Sequence, residues 1–177
     1  MRLLARIVIV AAFLSSCSDF GEQRPRRIIA TDAELFVLVT QDEPFPAYAL
    51  FPHAESVTSG TLNGSQAHQP RVRVSMNARA LEALRNGRLP SGSSFPDGAI
   101  IFKHIRTSGD STLLYAVMYK DRTNPFADPI GGWLWAEFRP DGTPFISLSA
   151  RGSGCVGCHA REEGPRHDFV RTFERQR

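Results

Sequence analysis

Residues 99–149 read AIIFKHIRTSGDSTLLYAVMYKDRTNPFADPIGGWLWAEFRPDGTPFISLS, and this stretch decides the fold. It holds four segments, 99–106, 112–120, 132–138 and 144–149, rich in the β-branched and aromatic side chains that suit a pleated, half-buried surface. Ser108-Gly109-Asp110, Asn124-Pro125 and Asp141-Gly142 separate them, and such clusters end strands and start turns. Short connections favour antiparallel pairing, because a parallel crossover needs a helix-length excursion. The expected fold is α+β, a mainly antiparallel sheet with a few helices.

Upstream, Arg71-Val72-Arg73-Val74 alternates and predicts a further strand. Asn77 can cap a helix over 78–86, with Gly87 at its C′ position and Ala80, Leu81 and Leu84 on its buried side. Residues 89–98 form a loop ending in the Pro96-Asp97-Gly98 turn. Thr31-Asp32-Ala33-Glu34 has the spacing of a capping box, so a helix runs from there to about Gln41 and stops before Pro44. Its core stripe is Leu35, Leu38 and Val39. Residues 45–52 are proline-punctuated and irregular, and 53–70 make a long Ser/Gly/Thr/Asn-rich loop carrying His68.

Residues 1–16 read as a signal peptide, with Arg2 and Arg6 ahead of the apolar run from Ile7 to Leu14. That run is shorter than the ~20 residues a membrane-spanning helix needs. Leu14-Ser15-Ser16-Cys17 resembles a bacterial lipobox, which implies lipid on Cys17 and anchoring on the periplasmic side. Ser18 follows where inner-membrane retention commonly has Asp, so the expected location is periplasmic, tethered to the outer membrane. Plain secretion with cleavage nearby is the alternative. Residues 17–30 form a polar tether, and 31–177 form one domain. Without Arg2 and Arg6 the chain has 19 basic against 18 acidic residues, which gives no reason to expect nucleic acid. Only Lys103 and Lys120 are lysines. Lys120 precedes Asp121 and Arg122 and is expected to be solvated.

Downstream of the strands comes Cys155-Val156-Gly157-Cys158-His159. Two thiols three apart, followed at once by histidine, meet the requirement for covalent haem. The thiols add across two vinyl groups and the imidazole ligates iron. A structural zinc site would need two further ligands from His53, His68, His104, His159 or His167, none of which forms a paired motif. A thioredoxin-like pair would sit early in a βαβ unit, and this one comes late, after Gly152-Ser153-Gly154. Helical cytochrome templates do not fit either, because strands precede the motif.

The ordered set RVRVSMNARALEALRNG (71–87), FPDGAIIFKHIR (95–106), GGWLWAEFRPDG (131–142), CVGCH and HDFVRTF (167–173) resembles the cytochrome P-460 family, which includes the cytochromes c′-beta. The resemblance covers residues 45–175. It implies one covalent haem c, His159 as proximal iron ligand, an antiparallel β fold that is often dimeric, and a vacant sixth position. Cytochromes P-460 cross-link a lysine to the haem and oxidise hydroxylamine, passing electrons to an external redox partner. The c′-beta members bind nitric oxide and similar gases without turnover. The resemblance puts Lys103 at the cross-link position.

On a strand Lys103 shares a face with Ile101 and Ile105, where a lysine is costly to bury unless neutral, paired or covalently used. A partly exposed, snorkelling lysine is the alternative. Protein candidates for the sixth position are Met76, Met118, His68 and His104, and either methionine is more at home in a core. One of them on iron would make a simple electron carrier. Hydroxylamine oxidation also calls for a proton acceptor. The run from Thr143 to Gly154 has no carboxylate, and one from elsewhere, such as Glu137, is the alternative. Phe95, Phe102, Phe126 and Phe145 are candidates for an apolar distal wall.

Overall fold

The computed structural model describes residues 27–51, 58–59, 70–161 and 164–170. The leader, Cys17, His53 and His68 lie outside the described residues. Among the described residues no helix is long and apolar enough to cross a membrane.

Helix α1 spans Asp32–Val37 and continues through a π-helical turn over Leu38–Asp42, closed by Glu43 N–H donating to Leu38 O at 2.8 Å. The capping box forms: Thr31 Oγ1 accepts from Glu34 N at 3.2 Å, and the Glu34 carboxylate accepts from Thr31 N at 3.0 Å. Leu35, Leu38 and Val39 are buried as their spacing predicts.

Among the described residues seven antiparallel strands follow: β1 Ala49–Leu50, β2 Thr58–Ser59, β3 Arg71–Met76, β4 Ile100–Arg106, β5 Thr112–Lys120, β6 Trp133–Phe138 and β7 Pro144–Ile146. The sheet order is β1-β3-β4-β5-β6-β7, with β2 on the same edge of β3 as β1. The expected α+β, mainly antiparallel fold is therefore the observed one. Some expectations change in detail. Helix α2 covers only Ala78–Leu81, capped by Asn77 as expected. Gly87 does not end it. Asn86 (φ 52) and Gly87 (φ 75) instead form a tight turn in which Arg85 and Arg88 exchange backbone hydrogen bonds. Asn-Gly is the pair that such turns favour. The expected 144–149 strand stops at Ile146, and Leu148–Ala150 is a 3-10 turn.

Strand alternation divides the sheet into two faces. Ile100, Phe102, Val117, Tyr119, Leu134, Ala136 and Phe138 point toward α1 and bury Leu35, Leu38 and Val39. Met76, Ile101, Met118, Trp133 and Trp135 point the other way, into a second core with Ala80, Leu89, Phe95, Phe169 and Val170. Cys155, Val156 and Ala160 pack on this second core.

Candidate functional site

The segment after β7 carries the chain from one face to the other. Leu148 is buried with the α1 core, and Ser147 Oγ and Leu148 N donate to the Asp32 carboxylate at 2.7 and 2.8 Å. Arg151 (φ 49), Gly152 (φ 76) and Gly154 (φ 82) then take left-handed conformations. Gly152 is required twice over. Its φ suits glycine, and a Cβ there would lie 2.7 Å from both Trp135 Cδ1 and Val156 Cγ2. The backbone thus descends onto Trp135 and starts helix α3, Val156–His159.

Both thiols are half-buried, with no disulfide between them. Burial, then the Glu137 charge and the neighbouring Cys158, push the Cys155 thiol up to about 11. At neutral pH it is protonated, the opposite of an activated redox thiol. The His159 imidazole meets the Trp135 indole edge to face, with ring centroids 4.7 Å apart. Its Nδ1 lies 2.7 Å from Phe169 O. A carbonyl only accepts, so Nδ1 carries a proton, which in the neutral ring leaves the lone pair on Nε2. Metal-ligating histidines are oriented in this way. Trp135 is fixed in turn: its Nε1 donates to Asp128 Oδ2 at 2.8 Å. The buried Asp128 carboxylate also accepts from Ile130 N, Gly131 N and Trp133 N.

The sheet face beneath α3 carries Met76, Ile101, Met118 and Trp135 in one cross-strand row. The next row is Val74, Lys103, Ala116 and Glu137. Val74, Lys103 and Ala116 are half-buried, and Glu137 is buried. Strands ~4.8 Å apart put Lys103 and Glu137 about 10 Å apart on either side of Ala116. Lys103 thus shares a face with Ile101 and Ile105, as its spacing predicts, and that face is the one on which Cys155 packs.

A family model described as Cytochrome P460 matches residues 53–172. The chain belongs to the Cytochrome P460 family. Comparison with curated proteins gave no match. Membership of the Cytochrome P460 family implies a haem cofactor. The residues present fit one. Paired thiols stand beside an imidazole anchored through Nδ1, on an apolar core that includes Ile101, Met118 and Trp135. Among the described residues no three His, Cys, Asp or Glu side chains gather as metal ligands, so the alternative zinc set is not assembled there.

Several other candidates of this Cytochrome P460 chain lie elsewhere. His104 projects from the opposite sheet face, where Nε2 is 2.8 Å from Thr112 Oγ1 and the ring meets Phe45 and Tyr115. Burial, with Arg106 and Arg73 nearby, lowers its pKa. Phe102 and Phe126 belong to the α1 core and Phe145 is exposed, which leaves Phe95 on the α3 face. Met76 and Met118 are buried in that second core.

The expectation of a solvated Lys120 is overturned, since its side chain is 1% exposed and its Nζ lies 2.7 Å from both Asp168 carboxylate oxygens. Its sequence neighbours misled. The signal was its parity with Leu114, Ala116 and Met118 along β5. Asp128, which holds Trp135, had no local motif to mark it, and Asp168 and Phe169, which hold Lys120 and His159, stand in the HDFVRTF stretch without a pattern that shows these roles.

Proposed function

We propose that the protein is an exported mono-haem c cytochrome acting on small nitrogen species, hydroxylamine or nitric oxide. In this reading Cys155 and Cys158 would hold haem c through thioethers, His159 would ligate its iron, and Lys103 would be the cross-linking residue. When bound, the haem supplies an iron that exchanges electrons with a small nitrogen-containing ligand. The observation that carries the reading is the His159 Nδ1–Phe169 O hydrogen bond at 2.7 Å, beside two thiols. It fixes the tautomer an axial imidazole needs.

The chain's own groups divide the remaining work. Trp135 limits rotation of the His159 ring through its edge-to-face contact. Val74 and Ala116 offer an apolar surface beside Lys103. Glu137, in the same row, is a carboxylate that can take protons as hydroxylamine is oxidised. Electrons would leave to a redox partner protein. The second reading is a c′-beta-like gas binder without turnover, favoured by the apolar neighbours of Lys103 and by the lack of Asp or Glu from Thr143 to Gly154. A simple electron carrier is the third reading, and the burial of Met76 and Met118 in the core speaks against it.

The leader carries the proposals of export, lipidation at Cys17 and outer-membrane tethering, and the family resemblance carries that of a homodimer. The optical spectrum of the purified protein tests the haem reading. A ferrous Soret band strongly red-shifted from ordinary haem c, and lost in Lys103→Arg with haem still attached, is expected. An ordinary five-coordinate high-spin spectrum favours the gas binder, and a six-coordinate low-spin spectrum rules out both. Mass spectrometry of the mature N-terminus tests export, and an unmodified residue other than Cys17 there would exclude the lipoprotein.

A further inference from the structure

The carbonyl that orients His159 belongs to an unusual piece of backbone. Asp168 (φ 51) and Phe169 (φ 66) are consecutive non-glycine residues in left-handed conformation. L side chains resist that region, so a turn of this kind persists only where its surroundings impose it. The surroundings here are specific. Lys120, at the end of β5, donates to both Asp168 carboxylate oxygens at 2.7 Å and to Gly131 O. Asp168 Oδ2 also accepts from Phe95 N at 2.8 Å, and Trp133 Nε1 donates to Asp168 O at 2.9 Å. The Lys120 ammonium sits 4.7 Å from the Trp133 ring centroid. Gly131 lets the Phe169 ring approach, since a Cβ there would lie 2.7 Å from Phe169 Cδ2. The left-handed turn is thus tied to β5, to β6 and to the 95–98 loop.

An ion pair this buried, 1% and 5% exposed, is poor value as a stabiliser. Desolvation consumes much of its Coulomb energy, and apolar replacements often do as well. Burial pulls the Lys120 pKa down and pushes that of Asp168 up, each opposed by the partner's charge. What the pair does that an apolar pair cannot is fix one backbone segment at a defined height above the sheet. The next carbonyl along that segment is the one His159 uses.

We propose that Lys120 and Asp168 are positioning residues for His159. By holding the Asp168–Phe169 turn, they keep the Phe169 carbonyl in line with Nδ1 and so set the strength of the bond from Nε2 to iron. This rests on His159 being the axial ligand. A strong Nδ1 hydrogen bond makes imidazole a better donor. Loosening the turn therefore weakens the iron–histidine bond and favours the ferrous state.

The test uses the haem-loaded, exported protein, with Lys120→Met/Asp168→Asn, which leaves no buried charge unpaired, and Lys120→Arg as the conservative variant, which keeps both charges of the pair and alters its geometry. Intact mass first establishes haem on Cys155 and Cys158. Resonance Raman then reads the ferrous iron–histidine stretch, and spectroelectrochemistry reads the reduction potential. Expected in the double variant are a lower stretching frequency and a more positive potential, with Lys120→Arg between it and the wild type. Should the double variant not fold, Lys120→Arg carries the test. Unchanged frequency and potential in a folded, haem-loaded variant overturn the positioning role and leave the haem reading standing. A wild-type protein without haem on those thiols overturns both.

Discussion

Three strands serve two cores, and the cores differ in kind. Toward α1 they present Ile100, Phe102, Val117, Tyr119, Leu134, Ala136 and Phe138, closed by Leu35, Leu38 and Val39. Toward α3 they present Ile101, Met118, Trp133 and Trp135, together with Lys120 at 1% exposure and Glu137 at 7%. Apolar side chains alone close a sheet face most economically. Within these three strands the buried charged side chains, Lys120 and Glu137, stand on the α3 face alone, which marks it as the face that does something besides holding the fold together. The α1 face is packing. The α3 face carries the thiols, His159, Lys103 and the groups that orient them.

The largest effect that would separate the faces is on the cofactor. Cys155→Ala/Cys158→Ala combined with Lys103→Arg, which removes the proposed cross-link as well, is expected to abolish covalent haem, read as loss of the haem mass and of haem resisting acid-acetone extraction. Covalent haem surviving the triple substitution would erase the proposed role of the α3 face. Phe102→Ala, on the α1 face, is expected to cost ~3–5 kcal/mol in denaturant unfolding while leaving the haem spectrum unchanged. Phe102 is fully buried and stacks on Phe45 at 4.4 Å between centroids. A changed spectrum would mean that the two cores are coupled.

Gly152→Ala lies where the chain passes between the faces. Its Cβ would meet Trp135 and Val156, and φ 76 strains any side chain, so a loss of ~1–3 kcal/mol is expected with a shift in the haem spectrum. A stability loss with no spectral change would show α3 to be insulated from its approach. The smallest expected effect is that of Thr31→Ala, which removes the α1 cap from the far side of the sheet. It should lower stability by ~1 kcal/mol, with no effect on haem, measured by thermal unfolding.

The α1 face was open to reading from local pattern. Period-two alternation in 99–138 and the Thr31/Glu34 box specify those elements, and both signals act within a few residues. The α3 face was legible only where its signal is local: the Cys155, Cys158 and His159 spacing, and Lys103 between Ile101 and Ile105. Its supports were hidden because they act across the chain. Lys120 meets Asp168 forty-eight residues away, and its neighbours Asp121 and Arg122 suggest water where the fold supplies Trp133 and Asp168. Asn86-Gly87 misled differently, since one pair of left-handed residues serves either a helix end or a tight turn, and the partners of Arg85 and Arg88 decide.

The central claim is that the α3 face holds one covalent haem on Cys155 and Cys158. Intact-protein mass spectrometry of the exported, purified chain tests it most directly. The expected result is a mass equal to the processed polypeptide plus a single haem that denaturation in acid does not remove, with the modified peptide mapping to residues 155–159. A haem-free polypeptide mass from cells competent to mature c-type cytochromes would contradict it.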